Sequence, residues 1–322
     1  MKLPFEEKKR KILTLREAKS SYGKKPSDRT VEELLESGVI CLNKHSGPTS
    51  HLVTDYLKRI LKLKRAGHGG TLDPAVTGVL PIGLNKATKA TEYLLLAGKE
   101  YVVSMHIHRP TSKTDIKKTI KEFEGLITQL PPVRSAVKRE LRQRNVYHIK
   151  VLEIEGQDVL LRICCQAGTY IRKIISDFGD ALGVGAHMQQ LVRTKAGPFN
   201  DREWYTLHDI KDAYELYKEG NEKEIRRIIK PVEFAVSHLA KVWIIDTAVD
   251  SLCHGANLNE PGIARIEDPI EEGEVVAIYT LKKELIGVGK MLKESSKIKE
   301  RDVVIETTKI FMEPGTYPNL KK

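Results

Sequence analysis

The 322-residue sequence predicts an α+β protein that ends in a small all-β unit. Three observations predict this. Two segments carry apolar residues at helical spacing, and others read as strands in composition. The two kinds interleave without the regular repeat of a doubly wound parallel sheet. From about Val242 the chain changes to short β-prone runs divided by Pro-Gly, Glu-Gly and charged turns.

Residues 1–35 are lysine-rich with weak periodicity and read as an arm rather than a domain. Thr49-Ser50 can cap a helix in which Leu52, Val53, Tyr56, Leu57, Ile60 and Leu61 recur with helical period. YVVSMHI (101–107) and DVLLRICCQA (158–167) have strand composition. Ile171, Ile174, Ile175, Phe178 and Leu182 form one stripe of a second helix, opened by Gly168-Thr169. A helix-like stretch at 221–229 precedes Pro231, where a domain boundary is expected. GIARIED, GEVVAIYT, ELIGVGKML and DVVIETTKIF then supply strands for a small barrel or sandwich.

Hydrophobic residues make up 40% of the chain, enough to bury a core, so a disordered polymer is excluded. No stretch approaches the ~20 apolar residues of a membrane helix, and the first residues lack a signal-peptide core. Neither an integral membrane nor a secreted protein is expected; a cytoplasmic one is. Cys41, Cys164, Cys165 and Cys253 form no C-x-x-C pair, and neighbours on a strand face opposite ways, so four reduced thiols are expected. Lys and Arg number 54 against 43 Asp and Glu, a net +11. The excess is clustered. Residues 1–27 hold nine basic and three acidic side chains, and residues 131–150 hold six and one, beside Tyr147 and His148. Such runs suit a phosphate backbone with exposed bases, or else form solvated charged faces.

The densest stretch is Gly67-His68-Gly69-Gly70-Thr71-Leu72-Asp73-Pro74-Ala75-Val76-Thr77-Gly78. It matches neither common phosphate-binding glycine motif. Asp73 before Pro74 fits a helix N-cap, and equally a nucleophile or base held in a glycine-rich loop. No second carboxylate stands near it for a metal-dependent nuclease. His106 and His108 share a strand face without an evident third metal ligand. Arg172, next to the apolar stripe, either snorkels along the buried face or pairs with an anion such as Asp73.

GHGGTLDPAVTGVLPIG resembles the catalytic-aspartate motif of the TruB/dyskerin family of RNA pseudouridine synthases. NKHSGPTSH (43–51), KEYVVSMHIH (99–108), PPVRSAVK (131–138), GTYIRKIISDFG (168–179) and LVRTKAGPF (191–199) are similar to further motifs of that family, in family order. The β-rich end looks like its PUA domain, and the basic arm is similar to that of the archaeal dyskerin-like members. The resemblance implies a mixed, mainly antiparallel central sheet flanked by helices, then a PUA barrel. The implied divisions are 1–35, 36–237 and 238–322. It makes Asp73 the catalytic carboxylate, Arg172 its partner and Tyr101 the ring that stacks on the flipped base. It assigns His68, Gly69, Thr71, Leu72, Tyr170 and Leu191 to the substrate pocket, and Lys44, Arg134, Lys138, Arg139, Arg142 and Arg144 to RNA binding. No cofactor or metal is implied.

The implied partners are a box H/ACA guide RNA, ribosomal and transfer RNA substrates, and three proteins. These are a small zinc-ribbon Nop-type protein, a glycine-arginine-associated β-barrel protein and a kink-turn-binding protein. The alternative is a non-catalytic RNA scaffold or chaperone, or, within the enzyme class, a stand-alone modifier of tRNA uridine-55. The His108-Arg109-Pro110-Thr111 turn departs from the acidic or glycine-containing turn common in relatives.

Overall fold

A computed structural model describes residues 1–131 and 138–319. Among the described residues, two sheets organise the chain. The larger runs in the order Lys230–Pro231, Gly38–Lys44, Thr77–Leu84, Ala186–Ala196, Lys99–Ile107, Asp158–Cys165, Arg142–Glu155 and Gly125–Gln129. Its pairings are antiparallel except between Thr77–Gly78 and Val192–Arg193. The smaller sheet holds six strands from residues 240–310, with Lys11–Thr14 added at one edge.

Local sequence explains the helices that matter for the site. In Ser50–Ile60 the Thr49 hydroxyl accepts the Leu52 N–H at 3.1 Å, while Val53 and Leu57 face the core. Leu52 and Tyr56 fall outside the buried stripe expected of them and are exposed. In Ile171–Ala181 the predicted residues Ile171, Ile174, Ile175 and Phe178 are buried. Tyr170, not Thr169, stands at its N-cap; the Thr169 hydroxyl instead donates to the Gln166 carbonyl at 2.7 Å. Strand Lys99–Ile107 turns Val103, Met105 and Ile107 into the core beneath this helix, and Ser104 and His106 to the other face. All four cysteines are buried and free.

The arm is tied down along its length. Lys11–Thr14 pairs antiparallel with Ile263–Asp268, although all four of its residues are exposed. Arg29 grips Glu233 through two bonds of 2.8 and 2.7 Å, and Glu233 also accepts the Leu285 N–H at 2.9 Å. An apolar cluster crosses between the sheets, joining Phe199 and Val236 to Trp243, Tyr279 and Val288.

His238 sits at this joint, edge-on to Phe5 with ring centroids 5.9 Å apart. Burial pushes its imidazole down to about 4 from the usual 6.5. The unfolded chain therefore binds the extra proton between those values, so this contribution is complete above pH 6.5 and is lost as the pH falls toward 4. We expect the urea midpoint to fall less steeply with acid in His238→Leu than in wild type. Parallel slopes would exclude His238 as the titrating group.

Candidate active site

The loop that carries Asp73 is shaped by two glycines. A Cβ at Gly69 would meet the Leu94 Cβ at 2.7 Å, and Gly70 has φ +132°, which side-chain-bearing residues rarely adopt. Asp73-Pro74-Ala75-Val76 then forms a turn closed by the Val76 N–H on the Asp73 carbonyl at 3.0 Å. No helix follows, so Asp73 is not an N-cap. Ser50, at the start of its helix, both donates to and accepts from the Leu72 backbone, at 3.0 and 2.8 Å.

Two buried cations hold the loop from behind. Lys44, expected to bind RNA, is wholly buried. Its ammonium donates to the carbonyls of His45, Pro74 and Val76 at 2.9–3.0 Å, with Asp73 O at 3.3 Å. Strand alternation drives its side chain inward, where it satisfies the turn instead of a phosphate. Arg193 is also buried and donates to Val79 O at 2.7 Å, Gly70 O at 3.0 Å and Thr71 O at 3.5 Å. It also lies beside Tyr101, its partner across the strands. Burial pushes the Tyr101 phenol upward, so it stays protonated at neutral pH.

On the open side, Arg172 Nη2 donates to Asp73 Oδ2 at 2.6 Å, with both side chains more than half exposed. The pair faces a cavity of about 650 Å³. Its lining includes Gly70–Asp73 with Val76, Gly168–Arg172, and Tyr101, Met188, Leu191 and Arg193. Tyr170 is fixed by Gln129, whose amide accepts its N–H at 3.0 Å and donates to its carbonyl at 3.1 Å. The arrangement is an exposed carboxylate, oriented by a guanidinium, beside a neutral phenol in a pocket large enough for a nucleoside.

The predicted pocket residues Thr71, Leu72, Tyr170 and Leu191 thus meet around Asp73, Tyr101 and Arg172. His68 and Gly69 do not line the cavity. His68 ends the short strand Ala66–His68 behind the loop, with its imidazole pushed down by burial. Of the basic run, Lys138 and Arg139 are exposed and Arg142 and Arg144 half-buried. Arg144 lies over the cavity rim, its Nε 3.0 Å from where a Gly168 Cβ would stand. Arg134, and most of PPVRSAVK with it, lies outside the described residues.

Sequence reasoning missed Arg193, Met188 and Lys99. The last is a buried lysine that donates to three carbonyls and is pushed down to about 7 by burial and the Arg193 charge. Alternation from Leu191 would have placed Arg193 on the pocket side. On the other face of the sheet, His106 and His108 are joined by His187, whose Nδ1 is 2.9 Å from His108 Nε2. Among the described residues no His, Cys, Asp or Glu group is placed to hold a metal ion.

Comparison with known proteins adds independent findings. The TruB family pseudouridylate synthase N-terminal domain matches residues 58–171, and the tRNA pseudouridylate synthase B C-terminal domain matches 172–237. A PUA domain matches 240–311, and the DKCLD (NUC011) domain 2–54. "Probable tRNA pseudouridine synthase B" of Methanopyrus kandleri is 51% identical, covering 98% of this chain and 95% of that protein. The protein of the same name from Methanothermobacter thermautotrophicus is 50% identical, covering 96% and 97%. A chain of a Cbf5-Nop10-Gar1 complex superposes with TM-score 0.94 at 50% identity, covering 99% of this chain and 98% of that one. A chain of an H/ACA RNP bound to a substrate RNA containing 2′-deoxyuridine superposes with TM-score 0.92 at 47% identity, covering 99% and 100%.

Lys44→Met leaves buried carbonyls without donors, each costing about 1–3 kcal/mol, offset in part because the buried charge is gone too. The expected result is a net loss of about 2 kcal/mol in urea denaturation, together with reduced turnover from a displaced Asp73. Wild-type stability in this variant would show that the ammonium does not hold the turn.

Proposed function

The chain belongs to the TruB/dyskerin family of RNA pseudouridine synthases, and from that premise we propose that it acts as the catalytic subunit of a box H/ACA ribonucleoprotein. In this reading it isomerises ribosomal RNA uridines selected by a guide RNA, and modifies tRNA uridine-55 without one. The observation that carries the reading is the Asp73–Arg172 pair at 2.6 Å, opening on a cavity that also holds Tyr101.

The reaction fits those groups. The C1′–N1 bond breaks, the uracil turns, and C5 bonds to C1′ while the C5 proton is lost and N1 gains one. Nothing is oxidised and no group leaves. The uridine must first leave its stack, which asks for a pocket and for surfaces that grip the RNA around it. Asp73 acts at the sugar or base, either as nucleophile or by taking a proton in a glycal route. Arg172 keeps its carboxylate aimed. Tyr101 stacks on the flipped base and serves the late proton transfer at C5, with Thr71, Leu72, Tyr170 and Leu191 around it. Lys138, Arg139, Arg142 and Arg144 meet RNA phosphates.

The likeness to chains of H/ACA complexes supports the same set of partners here. Proteins of the Nop10 and Gar1 type sit on the catalytic unit, with a kink-turn-binding protein and a guide RNA whose ACA end lies on the PUA domain and arm. An RNA scaffold without catalysis has no use for Asp73, Tyr101 and Arg172 together around one cavity.

Tritium release from 5-tritiated uridine in RNA tests this directly. Asp73→Asn is expected to lose at least ~10³-fold in turnover, about 4 kcal/mol of transition-state stabilisation, with RNA affinity within about tenfold. Near-wild-type release by that variant would remove Asp73 from the chemistry. Release from a ribosomal fragment only with guide RNA present supports the guided role. No release from the fully reconstituted particle would leave an RNA-binding scaffold. RNA affinity should also drop steeply from about 50 to about 200 mM salt, and a flat response would argue against the phosphate contacts.

A further inference from the structure

The helix Thr91–Leu96 ends at the mouth of the catalytic cavity in three leucines with different fates. Leu94 is buried against Gly69 of the aspartate loop. Leu95 lines the cavity that holds Asp73, Tyr101 and Arg172, yet is 48% exposed. Leu96, beside it, is 78% exposed, the most of any large apolar side chain among the described residues. Exposed leucines at a site that must hold a polyanion call for a reason, since hydration there favours polar residues.

Their pose is enforced. Lys99 is 5% exposed, and its stem lines the cavity. Its ammonium turns away from the opening and donates to the carbonyls of Leu94, Leu95 and Ala97 at 2.8, 3.0 and 2.6 Å. A cation there caps the helix C-terminus, where carbonyls lack intrahelical partners. The Lys99 ammonium is therefore committed to the turn that presents the leucines, and is not offered to a phosphate.

The reaction supplies an apolar occupant. When a uridine is drawn from its stack, the base beside it loses a neighbour and exposes one face. Proteins that unstack bases commonly cover that gap with an apolar side chain. We propose that Leu95, with Leu96 beside it, packs on the base flanking the extracted uridine, and that Lys99 is the positioning residue that presents this wedge. This rests on reading the cavity as the uridine pocket. The wedge acts on extraction rather than on the chemical step, so its loss is felt only where a flanking base exists to be covered.

The test uses the protein with its partner proteins and synthetic RNAs containing one target uridine. Each flanking position is either a normal nucleotide or an abasic one. Single-turnover pseudouridine formation is followed for wild type, Leu95→Ala, Leu96→Ala, Lys99→Met and Lys99→Arg, with melting temperatures as a check on folding. On normal RNA, Leu95→Ala should be slowed about 10–30-fold, in line with one leucine's worth of apolar burial. With the contacted flank abasic, wild type should be slowed and Leu95→Ala should add less than about twofold. Lys99→Met should reproduce the flank-dependent loss, and Lys99→Arg should restore part of it. Equal slowing of Leu95→Ala on normal RNA and on both abasic RNAs, or no slowing on normal RNA, would overturn the wedge. Wild type silent on every RNA would overturn the uridine reading beneath it, a result distinct from an active wild type with an indifferent Leu95→Ala.

Discussion

Everything at this site depends on inward-facing carbonyls that no strand or helix pairs. Between the strands Ala66–His68 and Thr77–Leu84 the chain turns and presents Asp73 outward, and buried cationic side chains meet the carbonyls of Gly70, Thr71, Asp73, Pro74, Val76 and Val79. Each such oxygen left without a donor costs about 1–3 kcal/mol. Lys44 and Arg193 supply donors to all of them, beside the backbone N–H of Val76 on the Asp73 carbonyl and that of Gly47 on the Pro74 carbonyl. An ammonium has three N–H groups and a guanidinium five, so two residues reach six of the loop's carbonyls, and Ser50 takes that of Leu72. Among the described residues neither makes an ion pair with a carboxylate. Burial pushes both cations toward neutrality, and the hydrogen bonds they donate to the loop carbonyls replace their lost hydration.

The Asp73–Arg172 pair obeys a different logic. Both side chains are more than half exposed, and a pair in such surroundings contributes little to stability. Its value is geometric. Arg172 points one carboxylate oxygen across an open cavity and leaves the other free. The turn under Asp73 is anchored through its carbonyls and through the buried Leu72 and Val76 on either side, while the carboxylate and its Arg172 partner stay accessible. Placing stability in the carbonyl clamp and aim in the ion pair lets Asp73 meet a substrate without unfolding the loop that carries it.

This division also explains what is legible in the sequence. Asp73, Tyr101 and Arg172 lie in distinctive local patterns, and Thr71, Leu72, Tyr170 and Leu191 travel with them. Both helices next to the site show their apolar stripes, although Leu52 and Tyr56 sit outside the buried part. Lys44 reads as an RNA contact because a sequence displays charge and not direction; only the strand register turns it inward. Arg193 differs: alternation from Leu191 gives its face, and only its place beside Tyr101 is set by pairing across the sheet. Lys11–Thr14 has no pattern of its own, and is a strand because Ile263–Asp268, far along the chain, offers it an edge. His68 belongs to the pocket by its motif, but the glycines beyond it bend the chain so that the loop reaches the cavity only from Gly70 onward.

The apolar cluster linking Phe199 and Val236 to Trp243 and Tyr279 bears on how substrate enters. Units that move against one another usually meet through modest, polar contacts. Here they share a continuous core, and the arm adds Arg29–Glu233–Leu285 and an edge strand across the same boundary. A hinge between the units would have to break that core. On the proposed reading of the cavity, the adjustments needed to admit a flipped base fall to the rim, where Leu95, Leu96, Arg144 and Arg172 are open to solvent or half-covered. Beneath them Lys44, Lys99 and Arg193 hold the floor fixed. On the proposed reading, such an enzyme selects substrate by what the rim can cover, and leaves the Asp73 carboxylate in the same place throughout.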